Sequence, residues 1–219
     1  MKKTLITLLA LAGVAVAGVD GDWAGNFSWG ADTDLALTLT DAPISISEMT
    51  SDKAYKATNS GAYVGTYTPN VNIGENPANS WTLNFTVTNT STELLDIRAI
   101  TLGTFLFNGG GNPQNADTFA RPVQFSLSLG DTVLSTVVSP LAGNNWDAAT
   151  VIDLGAKYVT LDAGQAATLK LTAQSAQTTT VYGTFVGVKN ATFSIIPEPT
   201  TATLSLLALA GLAARRRRK

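Results

Sequence analysis

Trp81-Thr82-Leu83-Asn84-Phe85-Thr86-Val87-Thr88 decides the fold class. Its residues alternate strictly, with Trp81, Leu83, Phe85 and Val87 on one side and Thr82, Asn84, Thr86 and Thr88 on the other. A period of two sends successive side chains to opposite faces of an extended chain, so this stretch reads as an antiparallel strand buried on one face and wet on the other. The same alternation recurs at Leu35, Leu37 and Leu39, at Val123, Phe125, Leu127 and Leu129, and at Ala167, Leu169, Leu171 and Ala173. Less regular runs predict further strands over residues 62–68, 95–106, 132–138, 157–161, 181–188 and 191–196. Clusters of Asn, Gly, Pro, Ser and Asp at 70–80, 89–93, 108–115, 139–145 and 162–164 separate them, each a turn signal.

About ten strands without crossover helices predict an all-β protein, an antiparallel two-sheet β-sandwich of jelly-roll or Ig-like type, since a parallel sheet would need helices between its strands. Residues 47–58 read as a short helix. Residues 165–176 are rich in Ala and Gln, but the spacing of Leu169 and Leu171 favours a strand. No repeat at solenoid or propeller spacing is present. The run 81–101, WTLNFTVTNTSTELLDIRAIT, resembles the strand-turn-strand of bacterial extracellular immunoglobulin-like domains.

Both ends of the chain read as processing segments flanking a body of residues 18–196. At the start, Met1-Lys2-Lys3 is a basic region, residues 4–14 are apolar, and Ala15-Val16-Ala17 forms an A-x-A cleavage site, so residues 1–17 are predicted to be a signal peptide forming a helix outside the fold. Residues 197–219, PEPTTATLSLLALAGLAARRRRK, have three parts. Pro197 and Pro199 lack an N–H, fix φ and bias Ile196 and Glu198 toward extended structure. Residues 201–214 carry no charge, and Leu204, Leu206, Leu207, Leu209 and Leu212 cover every face of a helix. At roughly 0.5 kcal/mol per Leu they supply about 2 to 3 kcal/mol of insertion free energy, over a length short of a usual span. Arg215, Arg216, Arg217, Arg218 and Lys219 end the chain, and the positive-inside rule keeps such a cluster cytoplasmic, with the body across the membrane.

The order of Pro-Glu-Pro, apolar helix and Arg cluster at the C-terminus resembles the PEP-CTERM sorting signal of Gram-negative bacterial surface proteins. That resemblance implies recognition of Pro197, Glu198 and Pro199 by a membrane-embedded exosortase, and removal of the transmembrane helix and basic tail. Signal peptidase and exosortase would then be processing partners, with transient anchoring in the inner membrane before release to the cell surface or extracellular matrix. The alternative is a plain anchor that no enzyme cuts.

Removing residues 1–17 and the five terminal cations leaves 7 of the 14 basic residues against all 16 acids, a net charge of −9. Such a chain is poorly suited to nucleic acid, whose binding needs Lys and Arg to neutralise phosphates. With no His and no Cys the chain cannot build a Ser-His-Asp triad, a Cys nucleophile, a disulfide or the usual zinc, copper and haem sites. A carboxylate pair of the glycosidase kind remains open. However, Asp41, Asp52, Glu75, Glu93, Asp117, Asp131 and Asp162 fall in loops and turns, so no catalytic residue, resident metal or cofactor is assigned. Calcium is the one metal that oxygen-rich loops could hold. Asp20-Gly21-Asp22 and Asp32-Thr33-Asp34 place carboxylates at alternate positions, without the ligand spacing of a calcium loop. The Gly-rich loop 108–117 has no Lys or following helix of a phosphate-binding loop.

Of the four tryptophans, Trp81 belongs to the alternating core face, whereas Trp23, Phe27 and Trp29 suggest an aromatic platform for sugar rings. The expectation is a non-catalytic exported protein of the surface or matrix, in contact with extracellular polysaccharide. A carbohydrate-binding module of the same architecture is the alternative, and a carboxylate-pair glycosidase the third reading.

Overall fold

The computed structural model describes residues 20–29, 35–51, 54–56, 62–68, 80–107, 123–139, 147–175 and 184–197. These hold thirteen strands: β1 (Gly21–Trp29), β2 (Leu35–Leu39), β3 (Ile44–Ser51), β4 (Ala54–Lys56), β5 (Ala62–Thr68), β6 (Ser80–Asn89), β7 (Leu95–Phe107), β8 (Val123–Leu129), β9 (Thr132–Val138), β10 (Asp147–Asp153), β11 (Val159–Leu161), β12 (Ala166–Ser175) and β13 (Thr184–Pro197). Among the described residues the one helical element is the 3-10 turn Gly155–Lys157, and no helix is long and apolar enough to cross a membrane. The helices expected over 4–14 and 201–214 lie outside the described residues.

Every strand pairing is antiparallel, and the strands form two sheets. The smaller has the order β3-β6-β12-β8-β9. The larger runs β10-β7-β13-β1-β2, with β11 beside β10 on the edge of β7, and β5, carrying β4, beside β1 on the edge of β13. Its two longest strands, β7 and β13, therefore form a spine that shorter strands flank.

The buried faces of both sheets meet in one apolar core, which makes the fold sandwich-like. Trp81, Leu83, Phe85 and Val87 of β6 all face inward, as their alternation requires. Trp81 meets Phe125 edge to face at 6.0 Å. Phe85 of the smaller sheet meets Phe193 of the larger at 6.2 Å and 84°. Each such side chain taken out of water contributes on the order of 1.5–3 kcal/mol.

Two bulges shift the alternation of the spine. Lys189 is the extra residue in β13, so Val188 and Ala191 both point inward and what reads as two strands is one. Arg98 is the extra residue in β7, which puts Leu95 and Ile97 inward on one side of it and Ile100 and Leu102 on the other. Gly103 faces Asn190 across β7 and β13, and a Cβ at that position would overlap the Asn190 carboxamide. The helix expected over 47–58 is corrected: the described residues there belong to β3 and β4. Glu48 sits in a bulge of β3 at φ 51°, a break that cuts off the alternation of Ile44 and Ile46 with Ser45 and Ser47.

The strand directions gather the longer connections at one pole. Gly21 pairs with Ile195 and Pro197 with Leu95, so the chain enters β1 and leaves β13 at one end of the larger sheet, the terminal pole. At that pole lie short links: 40–43, 90–94, 130–131, 154–158 and 162–165. Gly130, at φ 56°, opens the two-residue hairpin between β8 and β9, a place where glycine adopts a conformation other residues resist. The strand ends flanking 69–79, 108–122, 140–146 and 176–183 all lie at the opposite, far pole.

Candidate functional site: the terminal pole

The terminal pole is assembled around the Arg98 bulge. Because β10 pairs with β7 up to Ala99 and β11 resumes at Ile97, residues 154–158 loop past Arg98, and Leu154 N–H donates to its carbonyl at 3.0 Å. The Arg98 guanidinium pairs with the Asp96 carboxylate and lies over the Tyr158 ring, 3.6 Å from its centroid. Asp96 is 1% exposed, and its second oxygen accepts from Thr160 Oγ1 at 2.7 Å. A buried carboxylate is tolerated only with such partners, and the stacking adds roughly 0.5–1 kcal/mol. This cluster ties β11 and its preceding turn to β7, beside the final residues of β13.

Asn89, at the end of β6, holds the neighbouring turns. It is 1% exposed, and its Nδ2 donates to the carbonyls of Glu93 at 2.7 Å and Leu161 at 2.9 Å. Its Oδ1 accepts from the N–H of Ser91 at 2.9 Å and the hydroxyl of Ser91 at 2.8 Å. Its backbone N–H donates to Gln165 O, and its carbonyl accepts from Gly164 N–H. Every polar atom of the side chain is used to tie the link 90–94 to the end of β11, while the Asn89 backbone holds the link 162–165. These groups fix strand ends; none of them pairs a nucleophile with a base.

Of the residues singled out in the sequence, Pro197 is the last residue of β13, one position beyond the predicted body. Ala15, Ala17, Glu198, Pro199, Arg215, Arg216, Arg217, Arg218 and Lys219 lie outside the described residues, as do Asp32, Asp34, loop 108–117 and Trp146. The aromatic trio on β1 does not form an open face at its middle residue. Phe27 is 5% exposed and belongs to the core, and Trp23 is half-buried against that core. Trp29 ends β1, and its side chain lies outside the described set. The period of two explains this: positions 23 and 27 share the face that β1 turns toward the smaller sheet.

Asp20 and Asp22 are exposed, and Asp22 accepts a hydrogen bond from Ser194 Oγ. Among the described residues no group of three His, Cys, Asp or Glu side chains comes together to hold a metal ion. A narrow gap between the sheets is lined only by apolar side chains, including Phe27, Met49, Leu83, Ile100 and Phe193, and offers no polar group for chemistry.

Asp96, Arg98 and Tyr158 carry no motif and escape a reading by pattern. The available signal is the change of phase from Leu95 and Ile97 to Ile100 and Leu102, which marks a bulge and hence a residue turned out of the ladder.

No family model matches the chain, and no curated protein matches it. Similar solved structures include the Stig cyclase Fisc from Fischerella sp. TAU in complex with (3Z)-3-(1-methyl-2-pyrrolidinylidene)-3H-indole, at 14% identity and TM-score 0.32, covering 83% of this chain and 76% of that one. Another holds the CBM51-2, in complex with GlcNAc, and INT domains of Clostridium perfringens ZmpB, at 10% identity and TM-score 0.30. That match covers 81% of this chain and 38% of the other. At these scores neither likeness bears on function.

Proposed function

We propose that the protein is a non-catalytic exported protein of the cell surface or extracellular matrix, sorted through residues 197–219 by an exosortase after a signal peptidase removes residues 1–17. The observation that carries this reading is the order of parts at the C-terminus: Pro197-Glu198-Pro199, an uncharged apolar stretch, then five cations. Pro197, the first residue of the motif, is also the final residue of β13 and pairs with Leu95, so fraying of this one strand end is enough to free it from the sheet. Glu198 is the only acid after Asp162, which gives an embedded enzyme a distinctive group to read. In this reading the chain is held in the inner membrane until cleavage and then reaches the surface, where extracellular polysaccharide is its surroundings.

The test is mass spectrometry of the surface-exposed protein from a host carrying the matching exosortase. The expected species starts at Gly18 and ends near Pro199. Replacement of Glu198 by Ala leaves an uncut, membrane-bound precursor. Recovery of residues 204–219 from the wild-type surface protein would overturn sorting in favour of a plain anchor.

A further inference from the structure

We infer that, while its tail is in the membrane, the sandwich stands on its terminal pole and presents the far pole to the medium. This rests on the reading of 197–219 as a membrane-directed segment. Two observations carry it beyond that reading, and a third sets how closely the pole approaches the surface.

The first is the exit strand. β13 is central in the larger sheet, paired through Pro197 to Leu95 of β7 and through Ile195 to Gly21 of β1, so its last residue is a fixed point on the terminal pole. The second is the tether. Only residues 198–200 separate β13 from the uncharged stretch that begins at Thr201, and four Cα steps reach at most roughly 14 Å. Pro199, with its fixed φ, narrows the directions that tether can take. The body itself extends about 46 Å along β13, at roughly 3.3 Å for each of its 14 residues, so a short stiff tether at one end sets which end is near the bilayer.

The third is charge. Asp20, Asp22, Asp41, Asp131, Asp153 and Asp162 are exposed at the terminal pole and Glu93 is half-buried there, against the exposed Lys157 and the Arg98 already paired with Asp96. Close to an anionic leaflet each carboxylate is disfavoured by an amount that fades over a Debye length of about 8 Å, less than the reach of the tether. The pole is therefore held a short way off the surface, at a distance the tether length allows.

The absence of native Cys makes the test direct. Full-length chains carrying Ala163→Cys, in the link at the terminal pole, or Gln174→Cys, exposed near the far end of β12, are purified from a Gram-negative host without an exosortase. They are labelled with a fluorescent donor and reconstituted into vesicles containing phosphatidylglycerol and an acceptor-labelled lipid. Flotation is scored first. A chain that does not float with the vesicles overturns both the membrane reading of the tail and this inference. Among floating chains, efficient transfer from position 163 and weak transfer from position 174, a difference of about 30 Å along β12, is the expected result. Equal transfer from both positions shows a body lying on its side or tumbling, and sinks the orientation while leaving the tail reading intact.

Discussion

The hydroxyl oxygens of Thr104 and Thr150 lie 2.9 Å apart, both buried, on the inward faces of β7 and β10. Ser139 Oγ closes a triangle with them, 2.8 Å from Thr150 and 3.2 Å from Thr104, and Thr104 also donates to Ala148 O at 2.9 Å. Ser139 directly follows β9, so this triangle fastens the chain leaving the smaller sheet to the larger one.

Thr150→Val keeps the shape and removes one member of the triangle, which takes the 2.8 Å contact from Ser139 Oγ and should cost about 0.5–1.5 kcal/mol. Replacing Thr104, Ser139 and Thr150 together by Val, Ala and Val should cost less than the three single changes summed, because no hydroxyl is then left without its partner. Urea unfolding of the chain measures both; strict additivity would show that the triangle is not a coupled unit.

Asn89 is the most demanding position at the terminal pole. Asn89→Ala should destabilise by about 3 kcal/mol, since two carbonyls and the Ser91 groups lose their partner. Asn89→Asp should be worse near neutral pH, because a carboxylate cannot donate to Glu93 O or Leu161 O. A lower unfolding midpoint at unchanged slope is the expected signature. A midpoint equal to wild type in Asn89→Asp would contradict the assigned bonding.

Phe27 separates a packing role from a ligand-binding one. Its truncation to Ala enlarges the gap beside Leu83, Ile100 and Phe193 and should cost about 3–5 kcal/mol. If the Trp23–Trp29 segment bound sugar rings through Phe27, then Phe27→Leu, which preserves most of the buried volume, would abolish any glycan-array signal without loss of stability.

Arg98→Lys retains the charge but loses the fork toward Asp96 and the stacking on Tyr158, and should destabilise by roughly 1–2 kcal/mol. Tyr158→Leu should remove only the stacking part. Double-mutant analysis of the pair checks this, with a coupling of zero as the contrary result.

The strands that a reader of the sequence finds are those whose inward positions are all large and apolar. β6, β8 and β12 show this, through Trp81 to Val87, Val123 to Leu127 and Leu169 to Ala173. β10 escapes because its inward face is Ala148, Thr150 and Ile152, and the Thr is inside for its hydroxyl contacts. β3 escapes because the alternation of Ile44 and Ile46 with the outward Ser45 and Ser47 stops at the Glu48 bulge after only two apolar positions. β1 was visible only as an aromatic pattern, and its phase relative to the core could not be read without knowing which strands lie beside it. At the candidate pole, Asn89 was legible as a turn residue but its bonds to Leu161 O and Gln165 O join segments more than 70 residues apart.

The pairing of β1 with β13 also sets a clock. A chain made from its N-terminus holds Gly21–Trp29 without its principal neighbour until Thr184–Pro197 has been synthesised, and β7 likewise waits for the strand that completes the spine. Closing so long a loop must precede the contacts that reward it, which makes such a topology slow to collapse into its native form. The larger sheet therefore cannot lock until Thr184–Pro197 has been made, and until then β1 and β7 each keep one long edge without its partner.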